Sequence, residues 1–555
     1  MALVNVGLRL TETARSNPDG IAVVEPGPAR PGQRRGYRQI SFRALDEDTD
    51  RIAAGLRGMG VRPGMRLALV VRPGIDFIGL VFALLKAGLV MVLVDPGLGR
   101  RNMIRCLADV APDGFVAIPL AQALRCALAF RFRQARFNVT VGRRWFWAGP
   151  TLAELRQTAH DPDVVTRVGP DQPAAIIFTS GSTGPPKGVM YRHGNFNCQV
   201  DEIRDFYGIH AGEIDVPGFP LFALFNAAMG VTTVVPDMDF TRPARVNPEF
   251  FLEAVNDWQA TQAFGSPALW NTVGRYCEQT GARMPTLRRA LSAGAPVPPH
   301  VLRRVKAAMH GEGEMHTPYG ATEALPVASI SAAEILNETA AASAQGAGTC
   351  VGRRFDRIDW RVIRITDEPI HHIEDVVEVP TGEIGELIVR GPVVTRQYVT
   401  RTDANAFHKI QDGEDVWHRM GDVGYRDAVD RFWFCGRKAH RVRTAQGTLF
   451  TIPCEAIFNQ HPSVYRSALV GVGEPGSQCP VVIVEPWPER RPRGRLEELR
   501  LIDQLAQLAA NHPLTQSIRH FYTLEALPVD IRHNSKIFRE KLAVWAEKRV
   551  RQPAP

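Results

Sequence analysis

Short, almost wholly apolar runs recur along the N-terminal bulk of the chain, at residues 66–71, 90–94 and 174–178. They alternate along the chain with longer stretches whose apolar positions repeat at helical spacing, such as 248–258 and 299–309. Strands buried on both faces that alternate with amphipathic helices predict parallel sheet with crossover connections. The expected fold class is therefore α/β, with a large N-terminal domain of mixed and parallel sheets. At 385–391 and 431–435 the pattern turns short and strand-like between Gly and Asp turns, which predicts a β-rich subdomain. Near 437–441 the character changes again. Strands at 467–472 and 481–484 and helices at 496–511 and 537–550 predict a small α+β domain, so the chain divides into 1–438 and a mobile lid, 439–555. The segment 328–348, rich in Ala, Ser and Gly, reads as a mobile loop.

The chain has 555 residues, more than the roughly 250–300 at which single cores stop growing. Its hydrophobic (45%) and charged (22%) fractions exclude a disordered chain. The most apolar stretch, 77–94, contains Lys86 and Gly88 and runs into Asp95-Pro96, which fits a helix, a glycine stop and a buried strand better than a membrane span. Residues 1–15 carry Arg9, Glu12 and Arg15 and lack a secretory pattern, so a cytoplasmic protein is expected. The eight cysteines form no C-x-x-C pair, which speaks against a disulfide scaffold or a zinc site. The net charge of +8 includes clusters at Arg131, Arg133 and Arg136, at Arg143 and Arg144, and at 490–495. These read first as a solvated face, with weak contact to an anionic membrane surface or an acidic partner as alternatives. No nucleic-acid motif is present.

The strongest chemical signal is Thr179-Ser180-Gly181-Ser182-Thr183-Gly184-Pro185-Pro186-Lys187-Gly188, directly after the strand at 174–178. Small residues let backbone N–H groups approach phosphate oxygens, and a lysine adds charge, so the loop is an anion cradle. The glycines stand at the wrong distances from Lys187 for a Walker A loop.

The string resembles the signature loop of the adenylate-forming superfamily of acyl-CoA synthetases, peptide-synthetase adenylation domains and beetle luciferases. Further segments follow in that family's order. Tyr319-Gly320-Ala321-Thr322-Glu323 resembles its nucleotide motif, which implies adenine stacking by Tyr319, an α-phosphate contact from Thr322 and Mg²⁺ binding through Glu323. Ser292-Ala293-Gly294-Ala295-Pro296 resembles the segment across the adenine. Gly421-Asp422 and Gly436-Arg437 resemble the ribose-binding aspartate and its arginine. Asn534-Ser535-Lys536 resembles the catalytic-lysine motif, with Ser535 where glycine is usual. The resemblance implies ATP as co-substrate, Lys187 on the β and γ phosphates, and Lys536 between the attacking carboxylate and the α-phosphate.

Two departures concern the thiol-transfer half-reaction: Ala223 stands where many acyl-CoA synthetases carry a histidine, and His440 and Arg443 replace usual hinge residues. The segments 316–327 and 531–542 most resemble the β-lactone synthetases of bacterial long-chain olefin biosynthesis. That implies a lipid acid substrate, a 2-alkyl-3-hydroxyalkanoic acid whose own 3-hydroxyl displaces AMP. It also implies assembly with a thiolase-like enzyme, a reductase and an α/β-hydrolase. The alternatives are a long-chain acyl-CoA or acyl-AMP ligase and a non-catalytic nucleotide-binding module. An apolar pocket is expected near 219–229 and 264–270. His193 or another polar group is a candidate acceptor for the hydroxyl proton, and the sequence does not choose among them.

Overall fold

The structure is a computed structural model describing residues 4–29, 35–179, 184–219, 223–530 and 536–550, without the side chains of 223 and 224. Two large sheets dominate the N-terminal part. In the six-stranded one the strands Phe137–Thr140, Gly114–Ala117, Arg66–Val70, Val90–Leu93 and Pro173–Phe178 are parallel, and Gly188–Arg192 closes the edge antiparallel. The nine-stranded one has a parallel centre running from Glu314–Ala321 to Ile21–Pro26, with antiparallel strands at both margins.

The main core lies between these sheets. Val23 of one and Leu67, Met91 and Val116 of the other pack on the helices Phe42–Gly58 and Ile75–Lys86. Every residue of helix Ile75–Lys86 except Asp76 is buried, as its apolar sequence demands. It ends at Gly88, whose φ of 70° turns the chain into the strand Val90–Leu93. Lys86 has no solvent exposure and donates to Asp46 at 2.5 Å and Asp50 at 2.6 Å, so its buried charge is paired. Among the described residues no helix is long and apolar enough to cross a membrane.

A third, antiparallel sheet of six strands includes Gly385–Arg390, Asp415–Arg426 and Phe432–Arg437, as the β-rich reading anticipates. Beyond Val442, a three-stranded sheet (Val464–Val472, Cys479–Pro486, His520–Thr523) carries the helices Thr451–Phe458, Arg495–Ala510 and Arg539–Val550. Its two apolar clusters draw only on residues 442–550. A second, smaller domain with its own cores completes the two-domain architecture.

The loop expected at 328–348 is absent. The strand Ala324–Ser331 leads directly into helical turns over 332–344, capped where Ser331 accepts from the Glu334 amide at 3.1 Å. Alanine is the best helix former, and Ile335 and Leu336 anchor the segment on the core. Only 345–348 remain as a turn, with Gly346 and Gly348 at positive φ.

Candidate active site

One continuous cavity of about 2310 Å³ opens between the large sheets, the antiparallel sheet and the small domain. It is lined by Thr179, Gly184, Lys187, Gly294, Ala295, Pro296, Tyr319, Thr322, Glu323, Asp422, Arg437 and Lys536. Ser180, Gly181, Ser182 and Thr183 lie outside the described residues, as do Asn534 and Ser535.

The base of the glycine-rich loop is closed by Thr179. Its Oγ1 accepts from the Lys187 amide and its own amide donates to the Lys187 carbonyl, each at 3.0 Å. This places Thr179 at the carboxyl end of the parallel strand Pro173–Phe178, where open α/β sheets bind ligands. Lys187 Nζ lies 3.1 Å from His408 Nε2 and 4.7 Å from the centroid of the Tyr398 ring. Burial pulls its pKa down, and the Glu323 carboxylate opposes that.

Thr322 and Glu323 form the turn of the hairpin made by Glu314–Ala321 and Ala324–Ser331. Tyr191 Oη donates to the Thr322 carbonyl at 2.6 Å and fixes that turn from the neighbouring sheet. Glu323, nearly buried, accepts from Tyr398 Oη at 2.6 Å, while Thr395 donates to its backbone carbonyl. Gly320 has no room for a side chain, since a Cβ there would sit 2.7 Å from the Ala324 carbonyl oxygen.

At the end of the same hairpin strand, Tyr319 Oη donates to Asp422 Oδ2 at 2.5 Å, and Arg437 Nη1 lies 3.0 Å from Asp422 Oδ1. Burial pushes the Asp422 carboxyl upward, whereas Arg437, the Tyr319 hydroxyl and Lys536 favour its charged form. Lys536 therefore stands within electrostatic reach of Asp422, although it comes from the small domain. The strand positions explain the rest, because Asp422 and Arg437 are paired directly across two antiparallel strands.

Sequence reasoning missed a buried polar group behind Lys187. Lys409 is paired in register with His418, donates to the Thr395 carbonyl and has its pKa pushed by burial down to about 7. His418 Nδ1 lies 3.1 Å from the His408 carbonyl, and burial lowers His408 to about 4. No local pattern announces these residues, because strand pairing alone brings them to Lys187. Gln199 was missed as well. Its Nε2 donates to the Leu325 carbonyl at 2.7 Å, while its buried Oε1 has no partner among the described residues.

The expected apolar pocket is found in part. Phe219, Phe225, Phe264, Pro267 and Ala268 line the cavity, but Met229, Leu269 and Trp270 belong to the cores. Trp270 is pinned there by donating to the Leu291 carbonyl at 3.0 Å. His193 does not line the cavity. It is buried at the start of a helix, accepts from the Val6 amide at 3.2 Å, and is no candidate base.

The chemistry of this cavity agrees with three comparisons. Residues 10–399 match the family model described as AMP-binding enzyme. The chain is 44% identical to an olefin β-lactone synthetase of Stenotrophomonas maltophilia, over 99% of each chain. It is 45% identical to one of Xanthomonas campestris, over 98% of each. The amide bond synthetase McbA from Marinactinospora thermotolerans shares the fold, with a TM-score of 0.77 at 21% identity over 98% of this chain and 99% of that one. With Lys187, the Asp422–Arg437 pair and a lysine from a second domain facing one cavity, and with matches that span nearly its whole length, the chain belongs to the AMP-binding, adenylate-forming enzyme family.

Proposed function

We propose that the protein is an ATP-dependent β-lactone synthetase acting on a long-chain 2-alkyl-3-hydroxyalkanoic acid. The observation that carries this reading is the end-to-end similarity to two proteins named olefin β-lactone synthetase. The cavity supports it, because nucleotide-side residues and an apolar arm lie in one continuous space.

In the first step a carboxylate oxygen attacks the α-phosphorus of ATP, and the bond to the pyrophosphate oxygen breaks. Lys187 and the loop Thr179, Ser180, Gly181, Ser182, Thr183 and Gly184 hold the β and γ phosphates, Thr322 the α-phosphate, and Asp422 with Arg437 the ribose. Tyr319 covers one side of adenine, with Gly294, Ala295 and Pro296 across from it. Lys536 bridges the attacking carboxylate and the α-phosphate, where charge develops. Mg²⁺ suits Glu323, because this cation binds through one or two carboxylates plus phosphate and water oxygens. When bound it would neutralise charge on the departing pyrophosphate. The Glu323 carboxylate keeps acceptor capacity beyond its bond from Tyr398.

In the second step the substrate's 3-hydroxyl oxygen attacks the acyl carbon, the bond to AMP breaks, and the hydroxyl proton leaves to a base. Proximity replaces a second substrate, so no thiol is required. Ala223 in place of a histidine agrees with that economy. The mobile unit is 439–555, swinging about His440. The working location is the cytoplasm, beside a thiolase-like enzyme, a reductase and an α/β-hydrolase that handle the same poorly soluble chains.

The test supplies ATP, Mg²⁺ and the hydroxy acid without CoA, with products identified by mass and NMR. The β-lactone, AMP and pyrophosphate are expected. Turnover only on addition of CoA, with a thioester as product, would replace this reading by the acyl-CoA ligase.

A further inference from the structure

The forty residues 114–153 contain no Asp or Glu and six arginines: Arg125, Arg131, Arg133, Arg136, Arg143 and Arg144. The same segment holds five of the thirteen large hydrophobic side chains exposed among the described residues. Leu120 and Leu124 lie one turn apart on the helix Pro119–Ala127, Phe130 follows it, and Trp145 and Phe146 stand on the loop after the strand Phe137–Thr140. Phe146 is 77% exposed, Leu120 70% and Phe130 62%. Such rings and alkyl groups protrude into water at a cost that core packing does not explain.

The fold gathers them. Phe137–Thr140 is the edge strand of the six-stranded sheet and runs parallel to Gly114–Ala117, so the segments that follow the two strands emerge at the same end. A Cβ on Gly142 would lie 3.7 Å from Pro119, which puts the loop with Trp145 beside the start of the helix with Leu120. Arg131, Arg133, Arg136 and Arg143 are exposed and have no ion-pair partner among the described residues. Ile118, the residue before the helix, lines the large cavity.

We propose that this margin of the six-stranded sheet docks the enzyme on the surface of an anionic lipid bilayer. Trp and Phe insert at the level of the headgroups, and unpaired arginines hold anionic headgroups beside them, a combination that needs both apolar and cationic partners in one plane. A carboxylate-free segment also avoids the repulsion that acidic residues would meet there. The side chains project outward instead of lining a groove, which favours a deformable lipid surface over a shaped protein epitope. With Ile118 behind the patch, a lipid acid leaving the bilayer meets the cavity wall at the same edge. The inference concerns binding and holds whichever acid the enzyme activates.

The test is co-sedimentation of the full chain with vesicles of phosphatidylcholine alone and of phosphatidylcholine mixed with phosphatidylglycerol. Binding to the mixed vesicles is expected, weakening by roughly tenfold or more as salt rises from about 0.1 M to about 0.5 M. The W145S/F146S pair and the R131Q/R133Q/R143Q triple are each expected to lose at least tenfold in vesicle binding. Both should keep the thermal midpoint and pyrophosphate exchange of the parent, which separates docking from folding and from adenylation. Wild-type protein left in the supernatant, equal binding to both vesicle types, or variants that bind like the parent would overturn the proposal. Loss of self-association in the variants, with no vesicle binding by the parent, would assign the face to a second copy of the chain and overturn it equally.

Discussion

The nucleotide pocket and the joint to the small domain are both built from ion pairs, yet they differ in burial. Behind the pocket wall formed by Lys438 the pairing is sealed. Arg419 and Glu386 meet at 2.6 Å with 1% exposure each, and Lys438 adds a second cation to Glu386 at 3.0 Å. At the joint the carboxylate of each pair faces water. His440 meets Glu540, and Arg441 and Arg443 both reach Asp367, whose side chain is 48% exposed. Buried charges cannot lose a partner without remaining desolvated, whereas exposed ones exchange partners with water at little cost. On the proposed mobile lid, the pocket is a fixed frame and the joint a latch that positions Lys536 and can release it.

The frame breaks most severely at its centre. Arg419→Ala leaves Glu386 buried with one cation fewer and removes the hydrogen bonds to the Thr366 and Glu368 carbonyls. A loss of about 3–5 kcal/mol is expected, as for other buried pairs stripped of one partner. It should appear as a fall in the urea midpoint. A loss below about 1 kcal/mol, the range of surface pairs, would show that the frame is no firmer than the latch.

Lys536→Ala tests the other region. It should leave the urea midpoint and ATP binding close to the parent's while pyrophosphate release falls on the order of 10²-fold or more, since one charge is removed from the transition state. Near-normal pyrophosphate release by this variant would sink the assignment of Lys536.

Much of this was legible in the sequence because it is local. The strands at 66–71 and 90–94 are each carried by neighbouring residues, and the structure places them within a residue or two of the readings. What stayed illegible depends on pairing between distant strands. Lys409 and His418 read as ordinary polar residues of an antiparallel hairpin until their register sets them behind Lys187. The misread helix at 332–344 has another cause: composition suggested a loop, while the Ser331 cap and the contacts of Ile335 and Leu336 decided for helix.

A pH series distinguishes frame from latch more gently. His408 is held down at about 4 by burial, with Lys187 adding repulsion and Glu323 opposing it, against an ordinary value of 6.5. Between about 4 and 6.5 the unfolded chain binds more protons at this site than the folded one. Its contribution to stability therefore falls as pH drops through that window and is constant above it. His408→Gln should flatten the decline by on the order of 1–3 kcal/mol between pH 6.5 and 4, read from urea midpoints of the two proteins. Equal slopes for parent and variant would mean that His408 is solvated in solution and lies outside the frame.

The smallest effect is expected at the latch. His440 Nε2 and Glu540 Oε1 lie 3.0 Å apart, and Glu540 is 56% exposed, so solvent competes for the carboxylate. Exposed pairs contribute about 0–1 kcal/mol, which shifts a two-state lid by a factor of five or less. Glu540→Gln should accordingly lower pyrophosphate release by no more than about fivefold and leave the urea midpoint unchanged. It should also make the segment 437–441 easier to cut by protease in the absence of ligand, because the open lid is more populated. ATP with substrate should restore protection in the variant, since Lys536 gains its own partners when the site closes. Asp367→Asn weakens two arginine contacts at once and should exceed Glu540→Gln in both readouts. If Glu540→Gln instead depressed pyrophosphate release as deeply as Lys536→Ala, the His440 contact would be part of the reacting geometry, and the division into a fixed frame and a loose latch would fail at the point where the two regions meet.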